Sequence, residues 1–213
     1  MSDLTPMGGT TLQRITVSEM DNNVYLLTAP SGEQLLVDAA DDAGAILAML
    51  GEGGLRTVVT THGHWDHHRA LPAVVAATGA RTAAGRADAA DLPVPIDLLL
   101  EHGDRLAVDD AGTVVLDVVA LRGHTPGSVA LVLTEPADAP RPGRVHLLTG
   151  DSLFPGGVGR TRSPEDFDSL LSDVEERLFA VYPDDTVVWP GHGRPTTLGA
   201  ERPHLAEWRE RGW

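Results

Sequence analysis

The amino-acid sequence predicts an α/β fold made of two halves, each a β-sheet with helices, packed against one another. Short runs of apolar and β-branched residues, typical of strands, alternate with segments in which apolar residues recur at helical spacing. Along the chain they follow the order strands, helix, strands, helix. The length of 213 residues is typical of one compact domain, so we predict a single domain over residues 1–213.

The first half is predicted to contain strands joined by short turns, followed by two helices that flank a further strand. Glycines mark the ends of both helices, at Gly51 and at Gly79. The second helix is predicted to begin near Asp66, because His67, Leu71 and Val74 share one helical face. The predicted strands are 12–17, 24–28, 34–37 and 55–60, and the first helix contains Ala43, Ile46, Leu47 and Leu50.

The second half is predicted to contain mostly strands, then a helix, a last strand and a terminal helix. Ser163 is a predicted N-cap, with Pro164 at the first helical position. Residues 136–143 are rich in Pro, Ala and Gly and predict an exposed hairpin loop. Pro203 is predicted to open the terminal helix. The predicted strands are 98–100, 105–108, 113–121, 128–134, 145–148 and 186–189.

Composition narrows the range of partners. The formal net charge of −15 disfavours binding to nucleic acid or to anionic lipid. Cysteine is absent, which excludes disulfides, thiolate metal ligands and cysteine nucleophiles. The chain has no apolar run of membrane-spanning length and no signal-peptide pattern near Met1. We therefore expect a cytoplasmic protein that acts on a small molecule, with its oligomeric state left open.

The most informative segment is Thr61-His62-Gly63-His64-Trp65-Asp66-His67-His68, which directly follows the predicted strand 55–60. It places four potential metal ligands, His62, His64, Asp66 and His67, within six positions. Imidazole and carboxylate ligands together suit zinc, iron or manganese. So many ligands at one strand end add little to packing, so the segment predicts a metal site.

Three further ligands, His124, Asp151 and His192, each follow a predicted strand and have glycine neighbours that permit tight turns. If the two sheets share one open edge, all seven ligands reach it. Seven ligands are more than one ion needs, so they predict two sites that share a carboxylate, with metals about 3.5–4 Å apart. The predicted metal ligands are His62, His64, Asp66, His67, His124, Asp151 and His192.

The other histidines carry no such prediction. His68 is expected to point away from His67, by about 100° on a helix. His102, His146 and His204 are interpreted as surface or core-edge residues. Asp38, at the end of a predicted strand, leaves two alternatives open: a partner that orients the metal-binding loop, or a plain turn acid.

These motifs resemble the metallo-β-lactamase superfamily over nearly the whole chain. Residues 61–67 and the stretch Gly-Asp-Ser-Leu-Phe-Pro-Gly-Gly-Val-Gly-Arg at 150–160 are similar to its glyoxalase II branch. The resemblance implies an αββα four-layer sandwich. It also implies that His62, His64 and His124 bind one metal, that Asp66, His67 and His192 bind the other, and that Asp151 bridges them. A β-lactamase that uses a cysteine ligand is disfavoured, because the chain has none.

The implied function is a metal-dependent hydrolase with both metal sites filled, which cleaves a thioester with a metal-bound hydroxide. Asp66 and Asp151 are the candidate catalytic residues that manage the proton. Zinc is the first choice of metal, with iron or manganese as alternatives. The branch has a C-terminal domain with basic residues for glutathione, whereas only about twenty residues follow His192 here. Arg194, Arg202 and Arg209 are candidate substitutes, although a solvated helix face is the favoured interpretation of Arg202 and Arg209.

Two alternatives stay open. A persulfide dioxygenase has a similar core and the stretch Gly-Val-Gly-Arg-Thr found here at 157–161, and would hold a single iron on His62, His124 and Asp151. Arg160 could hold the Asp151 loop or an anionic substrate, or it could form a structural ion pair. The third hypothesis is a binding module whose metals only hold loops together. Structural zinc sites are usually closed and four-coordinate, whereas this ligand set leaves room for water.

Overall fold

A computed structural model describes residues 3–212. Met1, Ser2 and Trp213, at the two ends of the predicted domain, lie outside the described residues. The strands are β1 Asp3–Met7, β2 Thr10–Val17, β3 Asn22–Thr28, β4 Gln34–Val37, β5 Leu55–Thr60, β6 Arg81–Gly85, β7 Leu98–Leu100, β8 Arg105–Ala107, β9 Val115–Ala120, β10 Val129–Thr134, β11 Val145–Gly150, β12 Leu153–Phe154, β13 Gly157–Val158, β14 Val187–Pro190 and β15 Thr196–Thr197.

The helices lie between and after these strands. A π-helical turn over Glu175–Phe179 continues the longest of them, α3. Short 3₁₀ turns cover Trp65–His67, Ala89–Asp91 and Arg202–His204. The α-helices are α1 Ala43–Met49, α2 Leu71–Thr78, α3 Pro164–Val174, α4 Leu198–Glu201 and α5 Leu205–Arg211.

Two large sheets carry the fold. The first has seven strands in the order β1-β2-β3-β4-β5-β6-β7, antiparallel up to β4 and parallel from β4 to β7. The second has six strands in the order β15-β14-β11-β10-β9-β8, with β11 and β14 parallel. Because β5, β11 and β14 are buried on both faces at nearly every position, their sequences lack the strict alternation of apolar and polar residues that a half-exposed strand shows.

Three buried apolar clusters show how the layers stack. Tyr25 and Leu27 of β3 point into a cluster shared with strands of the second sheet, so this cluster lies between the sheets. Val24 and Leu26 of β3, which point to the opposite face, pack in a cluster with α1 and α2. The outer face of the second sheet packs against α3 and α5, including Trp208. The order is therefore helix, sheet, sheet, helix, which confirms the predicted αββα sandwich.

The predicted start of α3 is confirmed in detail. The Ser163 hydroxyl oxygen accepts a hydrogen bond from the Asp166 backbone N–H at 3.1 Å, and Pro164 occupies the first turn. Such a cap stabilises a helix by about 1 kcal/mol. Residues 136–143 form the predicted hairpin loop between the antiparallel strands β10 and β11.

The predicted start of α2 near Asp66 is wrong, since α2 begins at Leu71. In a continuous helix, Ala70 N–H would donate to the Asp66 carbonyl. Instead Ala70 donates to Ala39 O at 3.0 Å, and Asp66 O accepts from the Asn22 side chain at 3.1 Å. Both helical partners are thus taken by other elements. Pro203 likewise lies inside a 3₁₀ turn and does not open α5.

The interpretation of His146 as a surface or core-edge residue is also wrong, because its side chain is buried in β11. Its Nε2 donates to Glu135 Oε1 at 2.9 Å, while its Nδ1 accepts from Trp189 Nε1–H at 3.1 Å. Burial lowers the pKa of His146, so the ring is neutral within this network. His102 and His204 are exposed, as predicted. Within residues 3–212, no helix has the length and apolar character needed to cross a membrane.

Candidate metal centre

Four loops bring the seven predicted ligands to one edge of the sandwich. The loop after β5 carries His62, His64, Asp66 and His67. His124 lies between β9 and β10. Asp151 directly follows β11, and His192 lies two residues after the end of β14, which is parallel to β11. The ends of parallel strands meet at the same edge, which explains why ligands so far apart in sequence converge.

The first group consists of three histidines. His62 Nε2 lies 3.1 Å from His64 Nδ1 and 3.3 Å from His124 Nε2. The rings of His64 and His124 are nearly perpendicular, with centroids 4.5 Å apart. The three nitrogens therefore face a common point and could hold one metal ion.

The second group consists of two histidines and a carboxylate. His67 Nε2 lies 3.1 Å from His192 Nε2 and 3.6 Å from Asp66 Oδ2. His192 Nε2 lies 3.3 Å from the same Asp66 oxygen. These three atoms could hold another ion.

Asp151 lies between the two groups. Its Oδ2 is 3.7 Å from His124 Nε2 and 3.4 Å from His192 Nε2, so one oxygen faces a member of each group. Its Oδ1 is 3.3 Å from His67 Nε2, yet this buried atom has no hydrogen-bond partner. A buried carboxylate oxygen without a donor is costly, and a cation would satisfy it.

The spacing of these atoms fits a metal centre. Bonds of about 2.0–2.1 Å from a tetrahedral zinc ion place neighbouring ligand atoms about 3.3–3.4 Å apart. The ligand atoms described above are separated by 3.1–3.7 Å. Hydrogen bonding alone does not explain the arrangement, because His62 Nε2 faces two other ring nitrogens at once. The donor set of imidazole and carboxylate also suits iron or manganese.

Four histidines bond their other ring nitrogen to an oxygen outside the centre, which fixes the direction of each ring. His124 Nδ1 lies 2.7 Å from the Arg160 carbonyl, and His192 Nδ1 lies 2.8 Å from the Met20 carbonyl. His62 Nδ1 lies 3.0 Å from Thr61 Oγ1, and His67 Nδ1 lies 2.9 Å from Asp38 Oδ2. In each case the other ring nitrogen, Nε2, faces the centre.

Asp38 is the partner of His67, which favours the first of the two alternatives for this residue. Its carboxylate also accepts hydrogen bonds from Thr61 N–H at 2.7 Å and Thr61 Oγ1–H at 2.8 Å. The backbone of Asp38 is left-handed, with φ at 59°, a conformation that Asp and Asn tolerate better than most residues. One carboxylate thus connects the ends of β4 and β5 to a candidate ligand.

Asp88 is a site residue that sequence reasoning missed. This buried carboxylate accepts hydrogen bonds from Gly63 N–H at 2.8 Å, Gly127 N–H at 2.6 Å and Thr125 Oγ1–H at 2.5 Å. It therefore ties the loop that carries His62 and His64 to the loop that carries His124. In the sequence it is one acid in a loop, with no spacing that singles it out.

Close packing around the centre requires glycine at two positions. A Cβ at Gly191 would lie 2.2 Å from Asp151 Oδ1 and 2.6 Å from His67 Cε1. A Cβ at Gly159 would lie 1.8 Å from the Asp151 carbonyl oxygen. Any side chain at either position would therefore push a candidate ligand out of place.

The electrostatics divide the histidines into two kinds. Burial and neighbouring imidazoles hold the pKa of His62 well below its ordinary value, and burial also lowers those of His64 and His124. Neutral imidazole is the form that binds metal. Burial alone would lower the pKa of His67 and His192, but nearby carboxylates raise both to about 10. Those carboxylates stabilise positive charge where the second group converges.

Both carboxylates of the centre are ionised at neutral pH. Burial would raise the pKa of Asp66 and of Asp151, but the imidazoles of His192 and His67 beside them lower both, and the Asn22 hydrogen bond lowers that of Asp66 further. His64, Asp151 and His192 are partly exposed, whereas the other four candidate ligands are buried. The centre is therefore open to solvent on one side, where a substrate has access.

The arginines that the sequence suggests for substrate binding have different surroundings. Arg202 pairs with Asp184 at 2.6 Å and Arg209 pairs with Glu175 at 2.7 Å, so both stabilise the C-terminal helices. The Arg160 side chain is exposed, and it is the backbone of this residue that contacts His124. A cavity of about 280 Å³ beside His124 is lined by Arg122 and Arg162 among others.

Comparison with known proteins decides the family. A sequence model of the metallo-beta-lactamase superfamily matches residues 17–192, most of the chain and all seven candidate ligands. The chain belongs to the metallo-beta-lactamase superfamily. The family and the sandwich fold implied by the sequence resemblance are thereby confirmed.

Relatives within the metallo-beta-lactamase superfamily carry more specific names. A hydroxyacylglutathione hydrolase of Fuscovulum blasticum is 38% identical over 176 residues, which cover 81% of this chain and 62% of that protein. This chain thus spans less than two thirds of that relative. The hydroxyacylglutathione hydrolase GloC of Haemophilus influenzae is 27% identical over 213 residues, covering 90% of this chain and 94% of that protein.

One solved structure of similar fold is of a protein with two bound irons. TTHA1623 in a di-iron-bound form superposes with a TM-score of 0.67 at 27% sequence identity, covering 89% of this chain and 96% of that one. A protein similar to this chain over most of its length therefore holds two irons.

Proposed function

We propose that this protein is a metal-dependent hydrolase that cleaves a small thioester at a centre of two metal ions. The observation that carries the proposal is the position of Asp151, whose carboxylate faces both groups of histidines. The proposed ligands of one ion are His62, His64 and His124, those of the other are Asp66, His67 and His192, and Asp151 is the proposed bridge.

The relatives support the choice of reaction. Two of them, including one whose length this chain nearly spans, are named as hydrolases of hydroxyacylglutathione, which is a thioester. We propose zinc as the first choice of metal, since zinc commonly binds histidine nitrogen together with carboxylate oxygen. Iron or manganese would suit the same donors. When bound, such ions lower the pKa of water towards neutrality and polarise a carbonyl oxygen.

Within this chain, Asp66 and Asp151 are the proposed catalytic residues. Both are ionised at neutral pH, so their oxygens can accept a proton or a hydrogen bond from an attacking water. Asn22 already donates to Asp66 Oδ2 at 3.0 Å, which leaves Asp151 better placed to hold the proton. A leaving thiolate, with an ordinary thiol pKa of about 8.5, departs without a strong general acid.

The surroundings of His124 supply a binding region for the substrate. Arg122 and Arg162 line the cavity beside this residue, and the positive charge of Arg162 contributes to lowering the pKa of His64. A charge close enough to affect His64 is close enough to reach a molecule held at the centre. We propose that Arg162 binds an anionic part of the thioester, whereas Arg122 pairs with Asp173 and shapes the same cavity.

The dioxygenase alternative uses fewer of the converging residues. A single iron on His62, His124 and Asp151 would leave His64, Asp66, His67 and His192 without a role. The scaffold alternative requires a closed centre, whereas three of the seven candidate ligands are partly exposed. The convergence of all seven residues therefore favours the hydrolase.

The test combines a thioester assay with elemental analysis of the same preparation. We expect two ions per chain, release of free thiol from acylated glutathione, loss of release after chelation, and recovery when zinc is restored. Asp66→Ala and His192→Ala should each greatly reduce turnover, because each removes part of the second group. One iron per chain with oxygen consumption on a persulfide would instead support the dioxygenase.

A further inference from the structure

Asn22 is a buried amide at the start of β3 whose side chain reaches the second group of ligands. Its Nδ2 donates to Asp66 Oδ2 at 3.0 Å and to the Asp66 carbonyl at 3.1 Å. The same nitrogen lies 3.4 Å from His192 Nε2, and the two residues also form a β-bridge. One side chain thus contacts both the carboxylate and the partly exposed histidine of this group.

The orientation of this amide is determined by the hairpin between β2 and β3. Ser18 Oγ–H donates to Asn22 Oδ1 at 2.6 Å, so the carbonyl end of the amide faces the turn. The NH₂ end must then face Asp66. The reverse orientation would place an amide oxygen against a carboxylate oxygen, without a proton between them.

Asn22 holds both the backbone and the side chain of Asp66. By occupying the Asp66 carbonyl, it takes the acceptor that a helix through residues 66–70 would need. The turn over Trp65–His67 therefore stays separate from α2, and the Asp66 carboxylate is directed towards His192. Because the Asp66 carboxylate is already held in this position, it loses little conformational entropy when a cation binds.

The contacts of Asn22 are confined to one side of the centre. Its described side-chain hydrogen bonds reach Ser18, Asp66 and His192, and none of them reaches His62, His64 or His124. A change at Asn22 should therefore act on one group of ligands and spare the other.

We propose that Asn22 is a positioning residue that sets the affinity of the second metal position, made by Asp66, His67 and His192. The inference rests on the proposed two-metal function. Residues that orient metal ligands through hydrogen bonds typically contribute about 10–100-fold to metal affinity.

The test is a metal titration of purified, metal-free protein against a competing chelator, with zinc or cobalt as the probe. Asn22→Leu removes both hydrogen-bonding ends at similar volume. We expect it to weaken the binding of the second equivalent by about 10–100-fold and to leave the first equivalent within about threefold. Ser18→Ala, which frees the amide to turn over, should weaken the second equivalent by a smaller factor.

Thr16→Val is the matched control. It removes a hairpin hydrogen bond at 3.3 Å to the neighbouring Asn23 and leaves Asn22 untouched, so both metal affinities should be unchanged. Equal losses at both positions in Asn22→Leu, or an unchanged second affinity, would overturn the inference. Wild-type protein that binds two ions but cleaves no thioester would overturn the proposed activity alone. Wild-type protein that binds only one ion would overturn both.

Discussion

Single side chains around the centre determine which atoms face a metal. The carboxylate of Asp38 receives hydrogen bonds from two Thr61 groups and faces His67 Nδ1, all within 2.9 Å. A ring held in this way presents its Nε2 to the centre, and the negative charge of the partner makes that nitrogen a stronger donor to a metal.

Replacement of Asp38 by asparagine should weaken metal binding by about 10–100-fold. Asparagine tolerates the left-handed backbone at this position, so the fold should persist, but a neutral amide orients His67 less strongly. Asp38→Ala adds backbone strain of about 1 kcal/mol or more. Competition with a chelator measures the affinity, and an unchanged value in Asp38→Asn would contradict this role.

Gly191→Ala should reduce thioesterase activity by about 100-fold or more, because the new methyl group would displace Asp151 and His67 by about an ångström. Gly193→Ala is the control two residues away. Gly193 has φ at 69° and open space around its Cβ position, so alanine there costs about 1 kcal/mol of stability without touching a ligand. Equal losses of kcat/KM in the two variants would contradict the steric explanation.

The sequence predicts the residues whose potential ligands cluster in a short segment. It does not reveal the residues whose role depends on contacts between distant loops. Four ligands within six positions at a strand end are unusual enough to be noticed in isolation. Asn22 and Asp88 are ordinary polar residues in the sequence, and their roles arise only because other loops fold onto them. Asp38 was an intermediate case, since its strand-end position suggested a role without deciding it.

At the scale of elements, helix α3 anchors the loop that carries His124. The buried carboxylate of Asp173 accepts from the Arg122 backbone N–H at 3.0 Å and from Arg122 Nε–H at 2.9 Å. Burial would raise the pKa of Asp173, but the hydrogen bonds from Arg122 lower it. Arg122 lies two residues before His124, so this contact fixes the start of the loop.

The contribution of Asp173 to stability should depend on pH. Because its pKa is lower in the folded protein than in the unfolded chain, the stabilisation is present above about pH 4 and is lost as pH falls through the folded value. Asp173→Asn should cost about 1–3 kcal/mol at neutral pH. Urea denaturation in the presence of a chelator measures this, and the gap from wild type should narrow towards pH 3. A constant gap would contradict the ion pair.

The strands were predicted more closely than the connections between them. Strand β4 was predicted at its observed bounds, because an apolar run between turn signals has few alternatives. The start of α2 was misplaced since helical spacing continues through Asp66 while tertiary hydrogen bonds interrupt it. His146 was misjudged because its two buried partners, Glu135 and Trp189, come from other strands or their ends.

At the scale of the whole molecule, the two sheets meet so that their loops open at one edge and their shared apolar cluster lies behind it. This arrangement buries carboxylates and neutral imidazoles together at the centre. Asp151 Oδ1 has no hydrogen-bond partner there, and only a cation would satisfy it. Asp38, Asp66 and Asp151 each have a carboxylate oxygen within 3.6 Å of a His67 ring nitrogen, and positive charge reduces the repulsion among them.

Removal of metal should therefore lower the stability of the whole fold. An ion that binds only the folded chain stabilises it by about 2.7 kcal/mol when its free concentration is 100 times Kd. For a chain of this size, that corresponds to a decrease in Tm of about 5–10 °C after chelation. Thermal melts with chelator and with restored zinc measure the difference. Identical Tm values would indicate that no ion is bound in the folded state.

Anomalous X-ray diffraction from crystals of the zinc-loaded protein tests the two-metal centre most directly. The geometry of the ligands predicts two peaks about 3.5–4 Å apart, one among His62, His64 and His124, the other among Asp66, His67 and His192, with Asp151 reaching both. A single peak, or peaks that leave Asp66 and His192 without a metal, would contradict the account.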